Sequence, residues 1–285
     1  MNLFDRHRPD HVHLGARASR RAIPALALAG ALLSLPLCPA PAQIAVVGNT
    51  VEEHTAAPGE SYDGTILIRN LSNQSQPVRI YQTDYTFSSD GTSHFDSTGS
   101  IKRSNAKWIA VSTTALVVPA GSDVPVAYAV KVPPADTMRG TYWSVVMVEG
   151  ATDAPPSVNA TSQVGLGVVV RYAVQVATHI ESSGSRKINF TNQHVETERD
   201  STQSLQLAIE NVGERAYRPL VWVEVYDDKG TLRASAKQQR GLIYPGSSAK
   251  QKFSLGALEA GNYKAIVFAD VGSDEVVAAQ YKLRF

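Results

Sequence analysis

Cysteine is almost missing: Cys38 is the only one in 285 residues. It falls in a segment with the marks of a removable export signal, so no disulfide and no thiol chemistry is expected of the mature chain. Arg17, Arg20 and Arg21 precede the apolar run Ala22 to Leu37, and Ala40-Pro41-Ala42 supplies a small-x-small cleavage site. That run is shorter than the roughly 20 residues of a bilayer span. Ser19 to Pro24 also partly resembles a twin-arginine signal, from which Pro24 departs. Leu37 stands where a lipoprotein signal before Cys38 would carry a small residue. We therefore read 1–42 as a signal peptide and expect a periplasmic or otherwise extracytoplasmic protein.

A dominant charge is missing too. Removing 1–42 takes away 5 of the 27 Lys/Arg and 2 of the 26 Asp/Glu, leaving 22 basic and 24 acidic side chains. A net charge near −2 argues against a nucleic-acid surface. Sustained helical spacing is lacking, and so are the motifs of catalysis. Gly165-Leu-Gly167 is no dinucleotide fingerprint, because Val170 stands where the third glycine belongs. His54, His94, His179 and His194 lack metal-ligand spacing, and there is no Gly-x-Ser-x-Gly elbow. Asp227-Asp228 and Asp270 to Glu275 lack the alternation of a calcium loop and read as hairpin turns. We expect no catalytic residue, no metal, no cofactor and no small-molecule substrate.

What is present is a succession of short, Val/Ile/Tyr/Thr-rich segments about every 8–12 residues, the spacing of a β-sandwich. Part of it is written twice. "LVVPAGSDVPVAYAVKV" and the later "GTYWSVV" match "LIYPGSSAKQKFSL" and "GNYKAIVF". Upstream, Asn70, Pro77 and Gly91 match Asn211, Pro219 and Gly230 in order. The fold class expected is all-β, with two immunoglobulin-like sandwiches in tandem at 43–181 and 188–285. A Gly/Ser hinge joins them at 182–187. Trp108, Trp143 and Trp222 are expected inside the sandwiches, packing the two sheets together.

The segment from Gln163 to Val176 alternates throughout. Val164, Leu166, Val168, Val170, Tyr172, Val174 and Val176 share one face, and Arg171, Ala173 and Gln175 lie on the other with Gly165 and Gly167. As one strand it would run about 46 Å, against about 17–20 Å for a usual strand. Its apolar row has two readings: filling the first core, or being offered to a partner strand.

The export signal, two sandwiches and long last strand, with "RSNAKWIAVSTTALVVPAGSDVPVAYAVKVP" and "GTYWSVVMVEG", resemble the PapD-like periplasmic pilus chaperones. They also resemble the first domain of WxL-interacting surface proteins. The first resemblance implies a non-enzymatic assembly factor that holds a pilin-like or surface subunit by β-strand addition. The donor residues would be Val164, Leu166, Val168 and Val170. Arg171 would be one of two basic residues anchoring the subunit's terminal carboxylate. The first strand, where that family carries the other, offers only Glu52 and Glu53. The second resemblance implies an envelope adaptor bound to cell wall or to a surface protein.

Overall fold

The computed structural model describes residues 43–150 and 169–285. The first half contributes β1 (Ile44–Val47), β2 (Val51–Ala56), β3 (Ser61–Asn70), β4 (Gln76–Phe87) and β5 (Ser93–Asp96). It continues with β6 (Ile109–Val111), β7 (Ala115–Val118), β8 (Asp123–Lys131), β9 (Gly140–Gly150) and β10 (Arg171–Ile180). One sheet has the order β1-β3-β8-β6, and the facing sheet runs β2-β10-β9-β4-β5, with β7 also on β4. The second half contributes β11 (Ile188–Thr197), β12 (Gln203–Asn211), β13 (Leu220–Asp227) and β14 (Leu232–Gln239). With them are β15 (Ser248–Gly256), β16 (Asn262–Asp270) and β17 (Val276–Arg284). They pair as β11-β12-β15 and β14-β13-β16-β17. In each half the first, second and fifth main strands oppose a sheet centred on the third and sixth, which is the immunoglobulin-like arrangement. The chain is thus all-β, two such sandwiches in tandem.

Alternation decides which face is buried. Asp123–Lys131 alternates exposed and buried, putting Val126, Tyr128 and Val130 into the first core with Ile68, Ile80 and Val148. Gln251, Phe253 and Leu255 do the same from β15, two of them meeting Leu205, Val223 and Val267 in the second core. The β9 burial pattern is different, buried on both faces from Trp143 to Val148.

The tryptophans depart from expectation. Trp143 lies between the sandwiches rather than inside one. Its indole stacks on Tyr244 at 4.6 Å between centroids and 10° between planes, beside Ala177 and Ala216. Trp222 sits on the outer face of β13, stacked on Phe268 with Lys237 over it, while Val221, Val223 and Val225 fill the core. Trp108 packs at the rim of the first core, against Tyr142. In β9 and β13 the core-facing parity belongs to the valines, so each tryptophan faces outward.

The linker also differs from a free hinge. Arg215 Nη1 donates to the carbonyls of Glu181 (2.7 Å) and Ser183 (3.0 Å), and the Glu214 N–H donates to the Ser185 carbonyl at 2.8 Å. Gly184 packs so tightly that a Cβ there would lie 2.4 Å from the Gly140 Cα. The two sandwiches form one compact unit.

Candidate functional site: the open edge of β10

Between β1 and β2 the first strand changes sheets. β1 pairs with β3 in one sheet and β2 pairs with β10 in the other. The change occurs at Gly48-Asn49-Thr50, where Gly48 takes φ of +100°, a conformation that favours glycine. As a result β10 is covered unequally. β9 pairs with it along the whole of Arg171–Ile180, whereas β2 covers only Gln175–Ile180. Among the described residues, Val169 to Val174 have no strand on the β2 side.

The direction of the free backbone groups follows from one hydrogen bond. The Gln175 N–H donates to the Thr50 carbonyl at 2.8 Å, so Gln175 points its amide towards the β2 side. Neighbouring residues of a strand alternate in this respect. Arg171 and Ala173 therefore present their N–H and C=O groups to the open edge, while Tyr172 and Val174 spend theirs on β9.

The side chains prepare this edge on both faces. Val174 is 1% exposed in the first core, with Tyr172 packed against it. On the outer face Arg171 stands directly across from Glu149. Its Nε donates to Glu149 Oε2 at 2.7 Å, and the Tyr81 hydroxyl donates to the same oxygen at 2.9 Å. Arg79 approaches the other oxygen at 3.8 Å. The Tyr81 hydroxyl holds the Glu149 carboxyl below its usual range; burial opposes this, and Arg171 and Arg79 reinforce it. Arg171 is thus laid along the sheet by Glu149.

Of the expected donor residues, Val164, Leu166 and Val168 lie outside the described residues, as do Gly165 and Gly167. Val170 is half-buried just ahead of β10, and Val169 is 42% exposed. The strand runs on to Ile180, past Val176. Its second face is not solvated: Gln175 Oε1 accepts the Tyr244 hydroxyl at 2.8 Å, and Ala177 is fully buried in the junction. After Arg171 this row reads Ala173, Gln175, Ala177, His179, small or uncharged, which is the one sequence signal that it faces protein.

At the far end of β10 the first strand meets the second sandwich. Glu53 Oε1 accepts Arg218 Nη2 at 2.6 Å, and Glu53 Oε2 lies 3.2 Å from His179 Nε2. Burial raises the Glu53 carboxyl, but Arg218 and His179 outweigh it and leave the group lowered. These residues border a cleft of about 290 Å³ that Arg186, Arg215 and Leu242 also line. Where the resemblance implies a basic residue on the first strand, the chain has an acid already held by a guanidinium.

No protein-family model matches the chain, and no curated protein matches it. Solved structures do. The class 5 fimbriae chaperone CfaA aligns at 13% identity over 83% of this chain and 98% of its own, with a TM-score of 0.45. The CupB2 chaperone of Pseudomonas aeruginosa aligns at 13% identity over 84% of this chain and 99% of its own, with a TM-score of 0.38. The E. coli chaperone DraB aligns at 14% over 85% and 98%, with a TM-score of 0.39. These are similarities; the strand order and the β10 edge are read from the chain itself.

Proposed function

We propose that the chain is a non-catalytic, extracytoplasmic assembly factor that holds a β-rich pilus or surface subunit by strand addition along β10. One observation carries the reading: among the described residues, the change of sheet at Gly48-Thr50 leaves the first part of β10 with an open side. Natural sheets usually blunt or cover such edges, because unpaired N–H and C=O groups template pairing with another chain. Here the one charged side chain on the exposed stretch, Arg171, is drawn onto Glu149 instead of guarding the edge. A partner strand would gain main-chain bonds from Arg171 and Ala173, and its side chains alternating beside Val170 would set its register. The export signal at 1–42 and the sequence resemblance to pilus chaperones support the same reading.

The test uses the parity of the backbone. Ala173→Pro removes an N–H that faces the open edge and takes no hydrogen bond from the β9 ladder, the kind of edge position at which a strand accepts proline. The tagged mature protein, purified from its native envelope, is expected to carry a small β-rich subunit one-to-one by native mass spectrometry. Ala173→Pro is expected to arrive alone with an unchanged β-type circular dichroism spectrum. Equal capture by the variant would reject strand addition on this edge. Sedimentation with isolated cell wall, and no bound subunit, would favour the adaptor reading instead.

A further inference from the structure

Thr141 and His179 are partners across the β9–β10 ladder, and together they reach the second sandwich. Thr141 Oγ1 accepts the Ala216 N–H at 2.9 Å and lies 2.8 Å from His179 Nδ1. A hydroxyl has one hydrogen to give. With Ala216 donating to one lone pair of the oxygen, the threonine hydrogen is free for Nδ1; given to it, Nδ1 accepts and Nε2 carries the ring proton. The Nε2–H faces Glu53 Oε2 at 3.2 Å, and Glu53 Oε1 takes Arg218 at 2.6 Å. One hydrogen-bonded chain therefore crosses the junction twice, at Ala216 and at Arg218, with the imidazole in its middle.

In this wiring the ring is neutral. An imidazolium would turn Nδ1–H onto the second lone pair of Thr141 Oγ1, and the threonine hydrogen would lose its acceptor. It would also add a cation to a crowded cleft. The linker brings Arg186, the segment before β13 brings Arg215 and Arg218, and among the described residues Glu53 from β2 is the single carboxylate bordering the cleft with them. Arg186 and Arg215 are held by carbonyls of Gly272, Glu181 and Ser183, and no acid among the described residues pairs with them. His179 is 8% exposed, leaving little water to screen the repulsion.

We infer that His179, Thr141 and Glu53 form a proton-sensitive latch between the two sandwiches, closed on the neutral imidazole and released when it is protonated. Burial first, then Arg215 and Arg186, lower the His179 pKa, while Glu53 pulls the other way. A base whose folded-state pKa is lowered weakens the folded junction as pH falls below the ordinary imidazole range. The inference does not depend on what binds the β10 edge.

Trp143, stacked on Tyr244 across the same junction, is a built-in reporter. Its emission can be isolated in a Trp108→Phe, Trp222→Phe background and followed from pH 7.5 to 5. The expected result is a red shift on acidification that His179→Gln abolishes, because glutamine can accept from Thr141 and donate to Glu53 without titrating. Nuclear magnetic resonance of the imidazoles is the second measurement. His179 is expected as the Nε2–H tautomer at pH 7, titrating below the ordinary imidazole range. No red shift in the parent background, an equal shift in His179→Gln, or a His179 that titrates within the ordinary imidazole range would each overturn the latch.

Discussion

Asn70 and Asn211 are the residues that give the repeated phrase a physical meaning. Both end the second strand of a sandwich, both are essentially inaccessible, and each ties the following loop to the Pro-Gly corner. Asn70 Nδ2 donates to the carbonyls of Gln74 (2.6 Å), Val118 (3.0 Å) and Pro119 (3.2 Å). Asn211 Nδ2 donates to those of Arg215 (2.9 Å) and Ile243 (2.8 Å). Each Oδ1 accepts an amide two residues on, from Ser72 or Gly213. The match in sequence is thus one clamp used twice, and it was legible because strand, Asn and Pro-Gly corner recur in order. Asn211→Ala leaves the Arg215 carbonyl and the Gly213 N–H without their partner and takes one of two bonds from the Ile243 carbonyl, and an unsatisfied buried group costs about 1–3 kcal/mol. We expect denaturant unfolding to show a loss of about 2–4 kcal/mol on the same basis, with Asn211→Asp no better because it lacks the donors.

At the scale of elements, β10 shows where pattern reading stops. Alternation of period two identified the strand and the face that Val174 and Val176 bury. It did not say that the other face is buried as well, because small and uncharged side chains suit either solvent or a neighbour. It also placed the strand's end at Val176, whereas pairing with β2 and β9 carries it to Ile180. The linker is a second case. Gly and Ser look the same in a flexible hinge and in a close approach, and only packing separates them. Gly140, with φ of +77°, faces the Glu214 carbonyl so closely that a Cβ would lie 2.1 Å from it. Gly140→Ala combines a strained backbone with a backbone clash, and is expected to push the linker off the second sandwich. Faster proteolysis within 182–187, with both sandwiches still folded by circular dichroism, is the outcome to look for.

For the whole molecule, the junction is the part least written in the sequence, the uncharged row of β10 being its one signal. Phe87 and Tyr244 meet edge-to-face at 6.3 Å, Trp143 stacks on Tyr244, and the Ser89 N–H on the β4–β5 hairpin donates to Ser248 Oγ at 2.9 Å. Truncating a buried tryptophan typically costs about 3–5 kcal/mol. Here much of that cost is coupling between sandwiches, so Trp143→Ala is expected to split one calorimetric unfolding transition into two. A single transition at lower temperature would mean that the stack stabilises without coupling. The Glu53 carboxyl adds a separate dependence on acid: its pKa is lowered in the folded chain, so its contribution is complete above the ordinary carboxylate range. It fades as pH falls through the lowered value.

The amino-acid order alone determined the strand-rich class, the duplication, the buried parity of most strands and the position of Arg171 opposite the apolar row. Those properties depend on residues two apart or on turn residues within a few positions, so they are local. Tertiary structure decided the rest. Glu53, His179 and Arg218 lie up to 165 positions apart and meet only because β2 leaves one sheet to run beside β10. The open edge at Arg171 and Ala173 exists for the same reason. No local rule says where a strand will change partners; that is settled by which surfaces remain to be covered once both sandwiches have closed.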